Sequence, residues 1–250
     1  MKIIVCIPAR YDSTRFPGKV LAKDTGKLLI QHTWEKAKQA KLPSNILIAA
    51  DDKRILDAAE SFGADAVLTS PDHKSGTDRI AEAVADLDFD IVINVQADEP
   101  EINPENIDHV AELLIKNPDC PMATAAAAFE NVQQIGNPNI VKVITDSINK
   151  AIYFSRFPIP YDRENEGVGN IHLYLRHLGI YAYRKDFLLK ITGLPQSPLE
   201  KIEKLEQLRA IENGFPILVG KVERTTDGID TPDQYAEFVK RYKKATKKRK

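Results

Sequence analysis

A chain of 250 residues, 43% hydrophobic and 28% charged, is long enough to bury one large core, and none of it approaches the roughly 18 consecutive apolar residues that a membrane-spanning helix needs. Its 35 Lys and Arg nearly balance its 36 Asp and Glu, but 8 of the cations fall in residues 240–250; the remainder carries a net −9, which excludes the electrostatic footprint of a nucleic-acid binder. Two cysteines, Cys6 and Cys120, make no disulfide framework, and Cys6 sits in an apolar run as a small core residue.

The apolar run at Met1–Pro8 is too short for a secretion signal and leads into a charged loop, so the expected location is the cytoplasm. Ile3–Ile7 reads as a buried strand, followed by Ile46–Ala50, Ala66–Thr69 and Ile91–Val95. Between and after them, Ile30/Trp34/Ala37, Ile55/Ala59/Phe62, Ile80/Val84/Leu87 and Ile107/Val110/Leu114 recur at helical spacing, one face each. This alternation predicts βαβ units and a mainly parallel sheet covered on both faces. From about residue 120 strands predominate: Met122–Phe129, Ile140–Ile144, Ala151–Phe154 and His177–Tyr183, with glycine and proline between them. They predict strands that extend the sheet, plus an arm over roughly 120–183. A helix over Pro198–Asn213, a strand at Ile217–Val222 and a last helix from Pro232 complete a single domain over 1–239. Residues 240–250 read as a solvated, frayed basic tail.

In such a sheet, ligands sit beyond the carboxyl ends of the strands. The loop after the first strand, Pro8 to Lys19, carries Arg10, Arg15 and Lys19 among small residues, as a triphosphate-binding loop requires; composition alone fits a solvated basic loop equally well. It is neither a P-loop nor a GxGxxG motif. After the strand ending at Val95, Asp98 is well placed to hold Mg²⁺, and Asn103 is a better cap than Asp98 for the helix opening at Pro104. A second acidic loop, Thr226 to Pro232, contains Asp230, which by spacing reads as a helix cap along with Thr231. Ser75 and Gly76 suit either the edge of a planar base or a turn with its N-cap.

These segments together resemble one family, the 3-deoxy-manno-octulosonate (Kdo) cytidylyltransferases. The resemblance is carried by Ile7-Pro8-Ala9-Arg10-Tyr11, Ser13-Thr14-Arg15-Phe16-Pro17-Gly18-Lys19, Ser75-Gly76-Thr77-Asp78-Arg79, Asn94-Val95-Gln96 with Asp98-Glu99-Pro100, and Tyr153-Phe154-Ser155-Arg156. It continues through Arg176-His177-Leu178-Gly179-Ile180-Tyr181, Ser197-Pro198-Leu199-Glu200, Leu205-Glu206-Gln207-Leu208-Arg209 and Asp230-Thr231-Pro232, in order along nearly the whole chain. It implies a nucleotide-diphospho-sugar transferase (Rossmann-like) α/β fold with a β-rich dimerisation arm, a homodimer, and the reaction of CTP with Kdo to give CMP-Kdo and diphosphate for lipopolysaccharide biosynthesis. Arg10, Arg15 and Lys19 would then hold the triphosphate, Ser75, Gly76 and Gln96 the nucleotide, and Asp98 and Asp230 one or two Mg²⁺, which replaces the cap reading of Asp230. Arg156, His177, Tyr181, Glu206 and Gln207 would line the sugar-acid pocket, with His177 a hydrogen-bonding partner. Asp98, Lys19, Arg15 and Asp230 are the expected catalytic set. Departures from the family pattern are Ala97 in place of glycine, Asp12 in place of a small residue, and the additional acid Asp227. Sialic acid or 8-amino-Kdo are the alternative acceptors. A catalytically idle nucleotide-binding protein is the alternative of another class; such a relative would be expected to lose a metal carboxylate, whereas both are present.

Overall fold

Strand β1 (Ile3–Ala9) is buried along its whole length, as its unbroken apolar sequence demands of a strand covered on both faces. In the computed structural model, which describes residues 1–223 and 225–247, β1 pairs in parallel with β2 (Asn45–Ala50), and β2 in parallel with β3 (Asp65–Leu68). Parallel neighbours need crossover connections, supplied by α1 (Leu29–Ala37) and α2 (Lys53–Ser61). The helices bury most of the stripes their spacing predicted: Ile30, Trp34 and Ala37 in α1, Ile55 and Ala59 in α2, Ile80 and Val84 in α3 (Gly76–Val84), whereas Phe62 is half-buried just past α2 and Leu87 lies exposed beyond α3. Then come β4 (Ile91–Asn94) and α4 (Pro104–Lys116); Asn103 accepts the Glu105 N–H at 3.2 Å, in the cap position expected of it.

The later strands mix directions. β5 (Met122–Ala128) runs antiparallel to β8 (Leu175–Arg184) and parallel to β9 (Ile217–Lys221). A hairpin of β6 (Lys142–Thr145) and β7 (Ala151–Ser155) joins through β6 to β8. Short helix α5 (Val132–Ile135) follows β5, and α6 (Lys185–Thr192), which the apolar pattern did not reveal, follows β8. Gly220 of β9 admits no side chain: a Cβ there would lie 2.3 Å from His109 Nε2.

The packing divides the described residues into two compact units, interleaved in sequence, where one domain over 1–239 was expected. An amino-terminal unit takes Lys2–Phe89, Asn94–Ile107 and the chain from Thr226; a central unit takes Asp90–Ile93 and Asp108–Thr225.

Two expectations are corrected. The helix over Pro198–Asn213 is two, α7 (Pro198–Glu203) and α8 (Leu208–Glu212), because Lys204 ends α7 in the left-handed conformation with φ of 54°. The segment expected to fray from residue 240 instead continues α9 (Pro232–Lys247). Tyr242 packs with His32 at 4.7 Å between ring centroids and against a core of Leu29, Ile229, Tyr235, Phe238 and Val239, while Arg241 pairs with Glu101 at 2.5 Å. Residues 248–250 of the expected tail lie outside the described residues. No helix among the described residues is long and apolar enough to cross a membrane.

Candidate active site

Beyond the carboxyl end of β1, the amino-terminal unit holds an open cleft of about 320 Å³. Arg10, Arg15, Lys19, Ser75, Gly76, Gln96, Asp98 and Asp230, all assigned to nucleotide or metal from the sequence, line it. Its centre is Lys19, whose ammonium lies 2.5 Å from Asp98 Oδ2, 3.1 Å from Asp230 Oδ1 and 2.9 Å from the carbonyl oxygen of Ile229. Arg15 reaches Asp230 Oδ2 at 3.0 Å. The Ile229 N–H donates to Asp98 O at 2.8 Å, so backbone joins the two acidic loops and the carboxylates converge on one cation. Lys19 and Asp98 are mostly buried, whereas Arg15 is largely exposed.

The cap reading of Asp230 fails on geometry. Thr231 Oγ1 accepts the Gln234 N–H, and Gln234 Oε1 accepts the N–H groups of Thr231 and Asp230. This reciprocal capping box opens α9 and leaves the Asp230 carboxylate to Lys19 and Arg15. Asp227 does not join the pair. Its charge acts on Arg241, and among the described residues no three His, Cys, Asp or Glu side chains gather as a metal-binding group. Asp12 is exposed and its charge acts on Arg54. Ala97 is buried, its carbonyl taken by the Thr33 hydroxyl at 3.0 Å, and its methyl fits there.

At the opposite wall the cap reading of Ser75 holds, and both Ser75 and Gly76 line the cleft. Ser75 Oγ caps α3 by accepting the Asp78 N–H at 3.1 Å, and Gly76 sits so near Pro8 that a Cβ would lie 3.2 Å from its ring. With the hydroxyl occupied, this segment offers the cleft the amino end of a helix, where backbone N–H groups favour anions. Gln96 Nε2 donates to Asn94 Oδ1 at 3.3 Å.

The five residues assigned to a sugar acid all belong to the central unit. Two extra residues in β8 disturb the register beside Thr124, yet an even number preserves the side-chain alternation, and His177 and Tyr181 share a face. Their rings lie 5.4 Å apart, and Phe154 meets His177 edge-on at 4.9 Å. His177 Nε2 contacts Thr124 Oγ1 at 3.0 Å, and burial lowers its pKa to about 3, so the imidazole is neutral at physiological pH. Burial, then the charge of Glu206, raises the Tyr181 phenol and keeps it protonated. Gln207 is 5% exposed, and its Nε2 has no hydrogen-bond partner within the described residues. A buried donor in that condition is costly unless a ligand satisfies it. Arg209 is held by the Glu200 carboxylate at 2.6 and 2.8 Å and lies 3.9 Å from Glu206. Arg156 is more committed than the sequence suggested: it donates to the carbonyls of Glu203, Pro138 and Lys204, which leaves two of its five N–H donors for a ligand.

Four residues that sequence reasoning left without a role also shape these regions. Asp51 Oδ1 accepts the Tyr11 N–H at 2.9 Å, and Arg79 is buried beside it. Glu203 accepts from Ser155 Oγ and the Arg156 N–H, and the fully buried Lys142 ammonium donates to the carbonyls of Asn137, Ile140 and Arg156. Burial lowers the Lys142 pKa to about 8. Asp51 was accessible from the rule that located Asp98, since it too stands just past the carboxyl end of a strand.

Residues 4–223 match the family model described as Cytidylyltransferase. A 3-deoxy-manno-octulosonate cytidylyltransferase of Syntrophotalea carbinolica is 47% identical over 238 residues, covering 93% of this chain and 95% of the relative. The chain belongs to the 3-deoxy-manno-octulosonate cytidylyltransferase family. The namesake from Thermodesulfovibrio yellowstonii is 49% identical, over 93% of this chain and 95% of its own. Among solved structures, CMP:2-keto-3-deoxy-manno-octonic acid synthetase complexed with CTP superposes with a TM-score of 0.92 at 39% identity, covering 98% of this chain and 100% of that one. The expected nucleotide-diphospho-sugar transferase fold, with its mixed strand pairing, is therefore the fold of this chain.

Proposed function

We propose that the chain transfers the cytidylyl group of CTP to 3-deoxy-manno-octulosonate. The C2 hydroxyl of the sugar acid forms a bond to the α-phosphorus, the bond to diphosphate breaks, and the hydroxyl proton passes to solvent. The observation that carries this reading is the convergence of Lys19, Asp98 and Asp230 in a cleft whose other wall is the amino end of α3.

Transfer at phosphorus is won mainly by positioning and charge stabilisation. Arg10, Arg15 and Lys19 offset the triphosphate, and Lys19 and Arg15 stabilise the charge that gathers on the leaving diphosphate. Asp98 and Asp230 fit Mg²⁺, since their oxygens already converge on one cation, and that ion typically takes one or two carboxylates with phosphate oxygens and water. When bound, one or two such ions would supply charge neutralisation at the triphosphate. Tyr181, Glu206 and Gln207 offer a hydroxyl, a carboxylate and an unpaired buried donor to a hydroxylated sugar. His177, with a pKa of about 3, orients through hydrogen bonding and is too weak a base for neutral pH. The same reading makes the protein a cytoplasmic homodimer in lipopolysaccharide biosynthesis.

The test is diphosphate release from CTP with Kdo, 8-amino-Kdo and sialic acid in parallel, with and without Mg²⁺. The highest kcat/KM should belong to Kdo and require the metal. Preference for either other acid overturns the substrate, and no release with any acid makes the chain an idle nucleotide binder.

A further inference from the structure

Two walls of the nucleotide cleft, the loop from Arg10 to Lys19 and the amino end of α3, arise from segments far apart in sequence. The side chain that meets both is Asp51, which follows β2 and whose own N–H donates to Ala9 O at 3.2 Å. On one side its Oδ1 accepts the Tyr11 N–H at 2.9 Å. Tyr11 in turn closes the basic loop, because its carbonyl accepts the Gly18 N–H at 3.1 Å, where Gly18 adopts a positive φ of 66°. On the other side Asp51 Oδ2 lies 3.6 Å from the guanidinium of Arg79, the fourth residue of α3. Arg79 is only 4% exposed, and it also donates to Thr69 Oγ1 at 2.7 Å and Ser70 O at 3.1 Å. Three and four residues before it are Gly76 and Ser75, the N-cap of α3, which line the cleft.

We infer that Asp51 is a positioning residue for the nucleotide half of the reaction, bracketing the basic loop against α3 so that loop cations and helix N–H groups meet one triphosphate. Asp51 is not among the residues that line the cleft, so it acts through Tyr11 and Arg79. A buried arginine facing a carboxylate resists rearrangement, since either charge left alone is costly in that setting. The bracket therefore sets cleft width before nucleotide arrives, which lowers the ordering cost of binding. The inference rests on the cytidylyltransferase reading.

Asp51→Ala removes both contacts, whereas Asp51→Asn keeps an acceptor for the Tyr11 N–H and loses the charge facing Arg79. Each is compared with the unaltered chain in circular dichroism, in calorimetric titration with CTP alone, and in steady-state kinetics with each substrate varied. The dissociation constant and KM for CTP should rise about 10-fold in Asp51→Ala, the loss of one hydrogen bond to a charged group. The rise should be smaller in Asp51→Asn, and the KM for the sugar acid should stay unchanged in both. A folded variant with unchanged CTP affinity, or one in which both KM values move together, overturns the inference; if Asp51→Ala does not fold, Asp51→Asn decides alone. Failure of the unaltered chain to bind CTP overturns the cytidylyltransferase reading, and this inference with it.

Discussion

Asp230 and Thr231 are adjacent, both acceptors, and both in position to cap α9, yet the fold separates their duties. Thr231 takes the cap with Gln234, and Asp230 turns to Lys19 and Arg15. Asp230→Asn should therefore lower turnover by roughly 10³, about 4 kcal/mol of transition-state stabilisation, while the thermal midpoint stays near that of the parent. Thr231→Ala should do the opposite, costing about 1 kcal/mol of stability with turnover retained. Steady-state kinetics and thermal melts on the two variants check both halves; near-normal turnover in folded Asp230→Asn at saturating Mg²⁺ would reject the ligand assignment. The identity of the chemically useful residues was readable because charge after a buried strand is conspicuous, as at Arg10, Lys19 and Asp98. Asp51 and Arg79 were passed over, because a pair of adjacent acids after β2 and an arginine on α3 look like ordinary surface groups until their partners and burial are known.

Among the elements, α9 departs most from expectation. Its charge density after Val239 suggested a solvated end, but Tyr242 sits half-buried on the core formed by Leu29, Tyr235 and Phe238, and Arg241 reaches Glu101, three residues beyond Asp98. One aromatic at the right helical position outweighs several neighbouring lysines, which keep their charge in water while the backbone continues. Truncation after Val239 should consequently destabilise the protein by roughly 1–3 kcal/mol, the value of burying part of an aromatic side chain. Tyr242→Ala should reproduce most of that loss. Chemical denaturation of the two proteins checks this, and a truncated chain as stable as the parent would restore the frayed-end reading. The helix expected from Pro198 through Asn213 broke for a reason no periodicity reports, a lysine at 204 in the left-handed region.

At the scale of the molecule, the central unit leaves large apolar side chains in water: Ile152 is 53% exposed, Phe157 70%, Tyr161 63% and Leu173 64%. Single exposed apolar residues are ordinary, but several in one stretch of hairpin and loop are what an association surface would require. The expected homodimer would use them. Sedimentation should find a dimer for the parent chain and a monomer for Phe157→Asp, with the circular dichroism spectrum unchanged. A monomeric parent at micromolar concentration would reject the dimer.

By itself the sequence determined the alternation of buried strands and helices, because backbone periodicity of 2 and 3.6 residues is a local property written in the side chains. It also determined the family, because ordered motifs over most of the chain leave little freedom, and with it the residues that line the cleft. What only the tertiary structure decided was partnership. Asp98 and Asp230, 132 positions apart in the chain, converge on one ammonium because backbone pairing of Ile229 with Asp98 brings the two acidic loops together. Likewise it decided that Arg156 is largely spent on backbone carbonyls, that His177 is a neutral ring, and that Gln207 holds a buried donor with no partner among the described residues. Desolvation and hydrogen-bond satisfaction depend on everything packed around a group, and residues distant along the chain supply most of that surrounding.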